Sequence, residues 1–259
     1  MDSTFQLMTL GVGDAFSRIY YHTSFVFRAE GFNLLLDCPE PLRKMLRESS
    51  EQAGLPLTLE EIDDILVTHL HADHIGGFET YCYYKKFFQG RLGTLHTSPE
   101  VLDVLWPKRL SGAMGRTVDV KTGVPSANTP EDYYRTKMLA YGRENPIGPF
   151  RVSIHRANHS IPTVGVIVRH GDLSVGYSCD TAYDRDHIDW LSGCDMVIHE
   201  TGEGLHTPLD DLLALPEELR AKLWLVHYPD DFDVDNAPLR CLRQGRLYSV
   251  AQAAAPQVL

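Results

Sequence analysis

An α/β fold is predicted by three features of the chain. Apolar runs of strand length stop at a histidine or an aspartate, as at 65–67 before His69, 173–179 before Asp180 and 223–226 before His227. Segments with helix-start signals lie among such runs in the first half, from Pro39, from Gly76 or Gly77, and from Ser98. A hairpin pattern also occurs twice, at 23–37 and 163–180, each copy ending in aspartate.

In chain order, 5–10 reads as a first strand entering the turn Gly11-Val12-Gly13. Residues 24–30 and 33–37 read as a hairpin turning at Gly31. Helices are predicted from Pro39 to about Ser49, from Gly76 or Gly77 to Phe88, and from an N-cap at Ser98 to about Leu110. The second half runs as a strand at 150–158, a strand at 163–169, a turn at 170–172 and a strand at 173–179.

With 259 residues, 43% of them apolar, the chain can bury one large core, so a single domain over 1–259 is expected. Residues 111–149 are rich in Gly, Pro, Ser and Thr and read as an inserted arm or lid. They carry Tyr133, Tyr134 and Tyr141, and the span 108–151 holds eight basic side chains against four acidic ones. The tyrosines would stack on a base while Arg or Lys meets a phosphate, or the segment would form a dimer contact or a solvated connection.

The formal charge of −11 disfavours general binding to a polyanion, which draws on phosphate neutralisation by Lys and Arg. Five scattered cysteines, odd in number and without a C-x-x-C pair, suggest neither a disulfide framework nor a cysteine zinc site. The first residues lack a basic region followed by an apolar core, and no stretch is apolar enough for a membrane span. A soluble cytoplasmic protein with no membrane partner is expected.

The densest chemical signal is His69-x-His71-x-Asp73-His74. Alternate residues leaving a strand point the same way, so His69 and His71 can offer two imidazoles to one ion while Asp73 and His74 turn toward a second. Imidazole with carboxylate suits zinc, and also admits manganese or iron. One loop cannot fill two coordination spheres. His159, Asp180 and His227 each stand where an apolar run becomes a loop, the place where α/β proteins locate their chemistry. His159 would join His69 and His71, His227 would join Asp73 and His74, and Asp180 would bridge the two ions. Asp37 holds the position in the first hairpin that Asp180 holds in the second, and is expected to orient the ligand loop.

Thr68-His-Leu-His-Ala-Asp-His-Ile-Gly-Gly77 resembles the signature of the metallo-β-lactamase fold superfamily, and His159, Tyr177-Ser-Cys-Asp-Thr181, Val197-Ile-His-Glu-Thr201 and Val226-His227 resemble its later motifs in order. The likeness is to the branch of tRNase Z-like enzymes and metal-dependent phosphodiesterases. It implies a four-layer αβ/βα sandwich with mixed sheets, two metals along the shared edge, and a homodimer. Aspartate at Asp180 is similar to the phosphodiesterase and glyoxalase II side of the superfamily, and Cys179 beside it reads as a packing residue.

Two divalent ions can share a water, lower its pKa and clamp the oxygens of an in-line displacement at phosphorus. A bridging hydroxide oriented by Asp73 is the expected nucleophile. His199, Glu200 and His206 are candidates for the proton donor, with His206 preferred and Glu200 supporting it. The Ile-His-Glu-Thr segment resembles a tRNase Z-like motif, although there the following histidine-threonine element lies further downstream. The leading expectation is a phosphodiesterase acting on a small substrate such as a cyclic nucleotide. The alternatives are tRNA 3′-end processing, lactone or thioester hydrolysis, and a metal-binding sensor without turnover.

Overall fold

A computed structural model describes residues 4–119 and 121–254. Its strands are β1 (Gln6–Gly11), β2 (Ser24–Ala29), β3 (Phe32–Leu36), β4 (Asp64–Leu66), β5 (Gly93–Thr97), β6 (Arg116–Val118), β7 (Pro125–Ala127), β8 (Tyr134–Met138), β9 (Asn145–Ile147), β10 (Phe150–Arg156), β11 (Val164–His170), β12 (Leu173–Tyr177), β13 (Met196–Glu200), β14 (Leu223–Val226), β15 (Arg240–Cys241) and β16 (Arg246–Ser249). Two sheets carry most of them, in the orders β16-β1-β2-β3-β4-β5-β8 and β15-β14-β13-β12-β11-β10-β9. Both are mixed. Hairpins supply antiparallel pairs up to β3 and β12, after which β3-β4-β5-β8 and β12-β13-β14-β15 pair in parallel.

Alternation along the strands separates three cores. Phe25, Phe27, Leu34, Leu36 and Leu66 face Val152, Val166, Val175, Tyr177 and Ile198 between the sheets. Their neighbours Val26, Leu35, Ile65 and Leu95 turn outward, onto Met45 and Leu46 of helix Leu42–Gln52 and Phe78 and Tyr81 of helix Phe78–Tyr83. On the other side Ile167, Val197 and Leu225 pack on Ile188, Leu191, Leu212 and Leu219. The layers are therefore helix, sheet, sheet, helix, the four-layer sandwich expected from the sequence. An edge-on contact of Phe25 with Tyr177, centroids 5.2 Å apart at 89°, joins the two sheets. Such a pair adds about 0.5–1.5 kcal/mol beyond its buried area.

The helices begin and end close to their sequence signals. Ser98 caps Pro99–Val104 by accepting the Val101 N–H, and the run continues as a π-helical turn over Leu105–Leu110. The segment from Phe78 likewise widens into a π-helical turn at Tyr84–Phe88. The first helix starts at Leu42, later than expected, because Pro39 lies outside it and Pro41 takes the extended cap position.

The span 111–149 divides into unlike parts. β6 and β7 form a small separate hairpin, whereas β8 completes the edge of the first sheet and β9 the edge of the second. Among the described residues no helix is long and apolar enough to cross a membrane.

Candidate metal centre

The candidate ligands gather at one rim because the strands carrying them run the same way. β3, β4 and β5 are parallel, as are β12, β13 and β14, and β10 aligns with β12 through the antiparallel β11. Val67 and Thr68 finish the backbone pairing after β4, and His69 and His71 then leave the sheet. The short helix Ala72–Ile75 turns Asp73 and His74 back into the interior. His159 follows β10, Asp180 follows β12, and His227 follows β14.

The structure brings all seven metal-site candidates together in two sets, with Asp180 in both. His69, His71, His159 and Asp180 form one group, and Asp73, His74, Asp180 and His227 the other. In the first, His71 Nδ1 lies 3.2 Å from His69 Nε2 and 3.1 Å from His159 Nε2. In the second, His74 Nε2 lies 3.4 Å from Asp73 Oδ2 and His227 Nε2 lies 3.3 Å from the same oxygen. Asp180 spans the sets, with Oδ1 3.2 Å from His74 Nε2 and Oδ2 3.7 Å from His69 Nε2 and 3.6 Å from His227 Nε2.

The donor arrangement fits cations. Four zinc–nitrogen bonds of ordinary length arranged tetrahedrally would separate neighbouring nitrogens by roughly 3.3 Å, close to the spacings of the first set. His74 Nε2 and Asp180 Oδ1 are buried without a hydrogen-bond partner although they lie 3.2 Å apart, so both lone pairs are aimed past each other. Buried polar groups left this way cost stability unless something else satisfies them.

Asp37 sets the tautomers from behind. Its Oδ1 accepts the Thr68 N–H and its Oδ2 accepts the Thr68 hydroxyl and His74 Nδ1–H, each at 2.8 Å. Thr68, having donated to Asp37, has its oxygen free to accept from His69 Nδ1–H at 3.1 Å. By accepting, directly or through a hydroxyl, one carboxylate thus holds the proton of both His69 and His74 on Nδ1 and turns both Nε2 lone pairs into the site. Register corrects the pairing of Asp37 with Asp180. Asp37 N–H bonds the Leu66 carbonyl just as Ser178 N–H bonds the Ile198 carbonyl, so the counterpart of Asp37 is Ser178.

Electrostatics divides the imidazoles. Burial, with neighbouring imidazoles, pushes His69 well below the ordinary histidine value and His159 down to about 4. Burial opposes charge on His74 and His227 too. Around His74, however, Asp180, Asp37 and Asp73 outweigh it and hold the group well above its usual value, and Asp180, Asp73 and Glu200 raise His227 to about 9. The carboxylates Asp73 and Asp180 thus favour positive charge in this corner of the site, the charge a divalent ion would bring.

Glu200 and His206 form a separate device beside the second set. Glu200 Oε1 accepts the Thr181 N–H at 2.6 Å, and Oε2 lies 2.7 Å from His206 Nδ1 and 3.7 Å from His227 Nδ1. The bond to Glu200 raises the His206 pKa against the effect of burial. His199 drops out as a proton donor. It lies on the same face of β13 as Val197, which packs against the outer helices, and its Nδ1 contacts the Glu200 carbonyl at 2.7 Å. Cys179 is buried in the core between the sheets, with its Sγ 3.5 Å from His69 Nδ1. Asp37, Cys179 and His227 share a left-handed backbone, with φ of 56°, 55° and 58°. Such conformations cost energy in non-glycine residues and gather at functional sites.

The tyrosine cluster does not act as one surface. Tyr133 and Tyr134 are buried in the core beneath the helices, which removes them as stacking platforms. Tyr141 reaches a cavity of about 300 Å³ beside His159, where its hydroxyl donates to Glu100 and the Arg156 guanidinium lies 4.2 Å over its ring. The sequence reading missed Thr68 and Ser178, whose partners lie across strand pairs that only the register reveals.

Comparison with known proteins agrees with this architecture. The family model described as "Anti-Pycsar protein Apyc1" matches residues 5–248. The chain belongs to the Apyc1 family. Anti-Pycsar proteins from Bacillus phage BSP38 and Bacillus phage 010DV004 are 34% and 32% identical to it, covering 95% and 96% of this chain and 98% and 99% of their own. The relative from Saccharibacillus brassicae is 30% identical over 94% of this chain and 99% of its own. Among solved structures, the metallo-β-lactamase fold protein YhfI of Bacillus subtilis superposes with a TM-score of 0.75 at 15% identity, covering 95% of this chain and 99% of that one. The short form of human tRNase Z gives 0.66 at 19% identity, with the same two coverages. These likenesses establish the metallo-β-lactamase fold for this Apyc1 family member.

Proposed function

We propose that the protein is a dinuclear metal-dependent phosphodiesterase that hydrolyses a small cyclic nucleotide, and that it counters Pycsar as the name of its relatives says of them. The observation that carries this reading is the sharing of Asp180 between two ligand sets, with the Glu200–His206 pair beside them. His69, His71, His159 and Asp180 would hold one ion, and Asp73, His74, Asp180 and His227 the other, with zinc best suited to the donors and manganese or iron admitted. Bound there, the pair would lower the pKa of a water and offset charge on the phosphodiester.

The chain's own groups supply the rest. Asp73 orients the attacking water. Hydrolysis joins the water oxygen to phosphorus and breaks the bond to the leaving oxygen, which takes a proton from His206 Nε2. The proton released by water restores the imidazole. Glu200 holds His206 Nδ1, so that Nε2 is the atom presented. The cavity beside His206, about 330 Å³, suits a small molecule.

The test is metal analysis followed by turnover on cyclic nucleotides, lactones, thioesters and a tRNA precursor. About two ions per chain and chelator-sensitive cyclic nucleotide hydrolysis are expected. In His206→Ala, kcat should fall about 10²–10⁴-fold on alkoxide-leaving substrates and much less on a p-nitrophenyl ester, whose leaving group needs no acid. Turnover of lactones with none of phosphodiesters would overturn the reading.

A further inference from the structure

Phe16 is 88% exposed, the most open large apolar side chain among the described residues that pack no core. It stands at the tip of the loop after β1, at the same rim as the metal-site candidates. The loop is firmly held. Asp14 Oδ1 accepts the Phe16 N–H at 2.9 Å. Asp230 accepts the Ser17 hydroxyl at 2.5 Å and the Arg18 N–H at 2.9 Å. The loop also packs too closely at its root for a larger residue, since a Cβ on Gly13 would stand 2.7 Å from Ser17 Cβ. A fixed turn therefore presents an aromatic ring to solvent, which costs apolar exposure and gains no packing.

That ring lines a cavity of about 330 Å³ with His206 and His227, and Asp14, Glu203 and Asp231 complete its polar wall. The chemistry of the proposed reaction determines what lies there. His206 gives its proton to the leaving oxygen, and in a cyclic nucleotide that oxygen stays attached to the sugar. The nucleoside must then extend from the phosphate toward the His206 side of the site, into the cavity that ends at Phe16. The other cavity, beside His159, is already crossed by the Glu100, Tyr141 and Arg156 contacts.

We propose, resting on the phosphodiesterase reading, that this cavity is the nucleoside subsite and that the substrate base stacks on Phe16. The three carboxylates accept N–H groups from the edge of the base. Stacking on an aromatic ring tolerates any base because each has a π face, so Phe16 contributes affinity for nucleosides as a class. Holding the ring in a fixed turn spares the ordering cost that a mobile lid would incur on binding.

The experiment compares Phe16→Ala, Phe16→Tyr and Phe16→Trp with the wild type. The substrates are 3′,5′-cyclic AMP, 3′,5′-cyclic CMP and trimethylene phosphate, a six-membered cyclic phosphodiester without sugar or base. Phe16→Ala is expected to raise KM for both nucleotides about ten-fold with kcat little changed, to leave trimethylene phosphate unaffected, and to be rescued by Phe16→Tyr. The indole introduced by Phe16→Trp should be quenched by cyclic nucleotide and not by trimethylene phosphate, measured as a difference from the wild type. An unchanged KM in Phe16→Ala while nucleotides are hydrolysed would overturn the subsite, as would a change only in oligomeric state. Quenching by nucleotide in a protein that hydrolyses no phosphodiester would support the subsite and remove the phosphodiesterase reading. Neither quenching nor turnover would remove both.

Discussion

The two halves of the molecule close their central strands with the same kind of hydrogen bond and build it from different side chains. After β3, Asp37 accepts the N–H of Thr68, two residues beyond its register partner. After β12, Ser178 Oγ accepts the N–H of Glu200, again two residues beyond. The strand-end hydrogen bond is shared, whereas the side chains differ and the left-handed residue is Asp37 itself in the first half and Cys179, one position after Ser178, in the second. A carboxylate in the first half has a second oxygen left to fix His74 and, through Thr68, His69. A hydroxyl in the second half has no such reach, and Glu200 instead takes the carboxylate role itself, toward His206. One scaffold thus yields an end whose carboxylate engages His74 directly and His69 through Thr68, and an end whose carboxylate engages His206.

The largest test of this contrast falls on Asp180, which belongs to neither half's strand-end pair and joins both ligand sets. Asp180→Ala should remove a donor from each set at once and lower kcat/KM by at least about 10³-fold, with metal content falling below two ions per chain. If one ion were lost while the other stayed fully bound, Asp180 would be a ligand of a single set, and the bridge between the halves would be gone from the account.

Asp37→Asn addresses the orienting end alone. The amide can still accept from Thr68 N–H, but it cannot accept from both the Thr68 hydroxyl and His74 Nδ1–H with a carboxylate's charge. The expected result is a 10- to 100-fold loss of metal affinity, read by competition with a chromophoric chelator, with activity recovering in excess metal. Unchanged stoichiometry and affinity would reduce Asp37 to a turn residue. A carboxylate-specific effect at Asp37 with none at Ser178 would establish that the halves differ in function as well as in side chain.

What the sequence disclosed follows from what local pattern encodes. Strands β3, β12 and β14 and the capped helix at Ser98 were legible because apolar runs and capping residues act over a few positions. The seven metal-site candidates were legible because His69 to His74 follow one such run and His159, Asp180 and His227 follow three others, and strand ends of one direction collect at one rim. The equivalence of Asp37 with Ser178 was not, since it depends on which residues pair across β3–β4 and β12–β13, a property of two strands at once. Tyr133 and Tyr134 misled for a similar reason. Polar neighbours in 111–149 suggest a solvated arm, yet Tyr134 opens β8, which pairs with β5, and Tyr133 just before it is buried with it under the helices. His199 and Glu200 were adjacent candidates, and strand alternation alone separates them, one to each face of the sheet.

Ser178→Ala is the mildest change and the one that tests whether the second half needs its hydroxyl for structure or for chemistry. Removing Oγ leaves the buried Glu200 N–H without its acceptor, a loss of about 1–3 kcal/mol, which should lower Tm by several degrees. The Glu200 carboxylate keeps the Thr181 N–H and the His206 imidazole, so its position relative to the metal-site candidates is retained. Turnover at a temperature well below Tm should therefore stay within roughly three-fold of the wild type, as expected for a hydrogen bond that supports the fold without touching the reacting atoms. A ten-fold or greater fall in kcat with Tm unchanged would mean that Ser178 governs proton handling directly, and the division of labour between the two strand ends would have to be redrawn with the hydroxyl as part of the Glu200–His206 device.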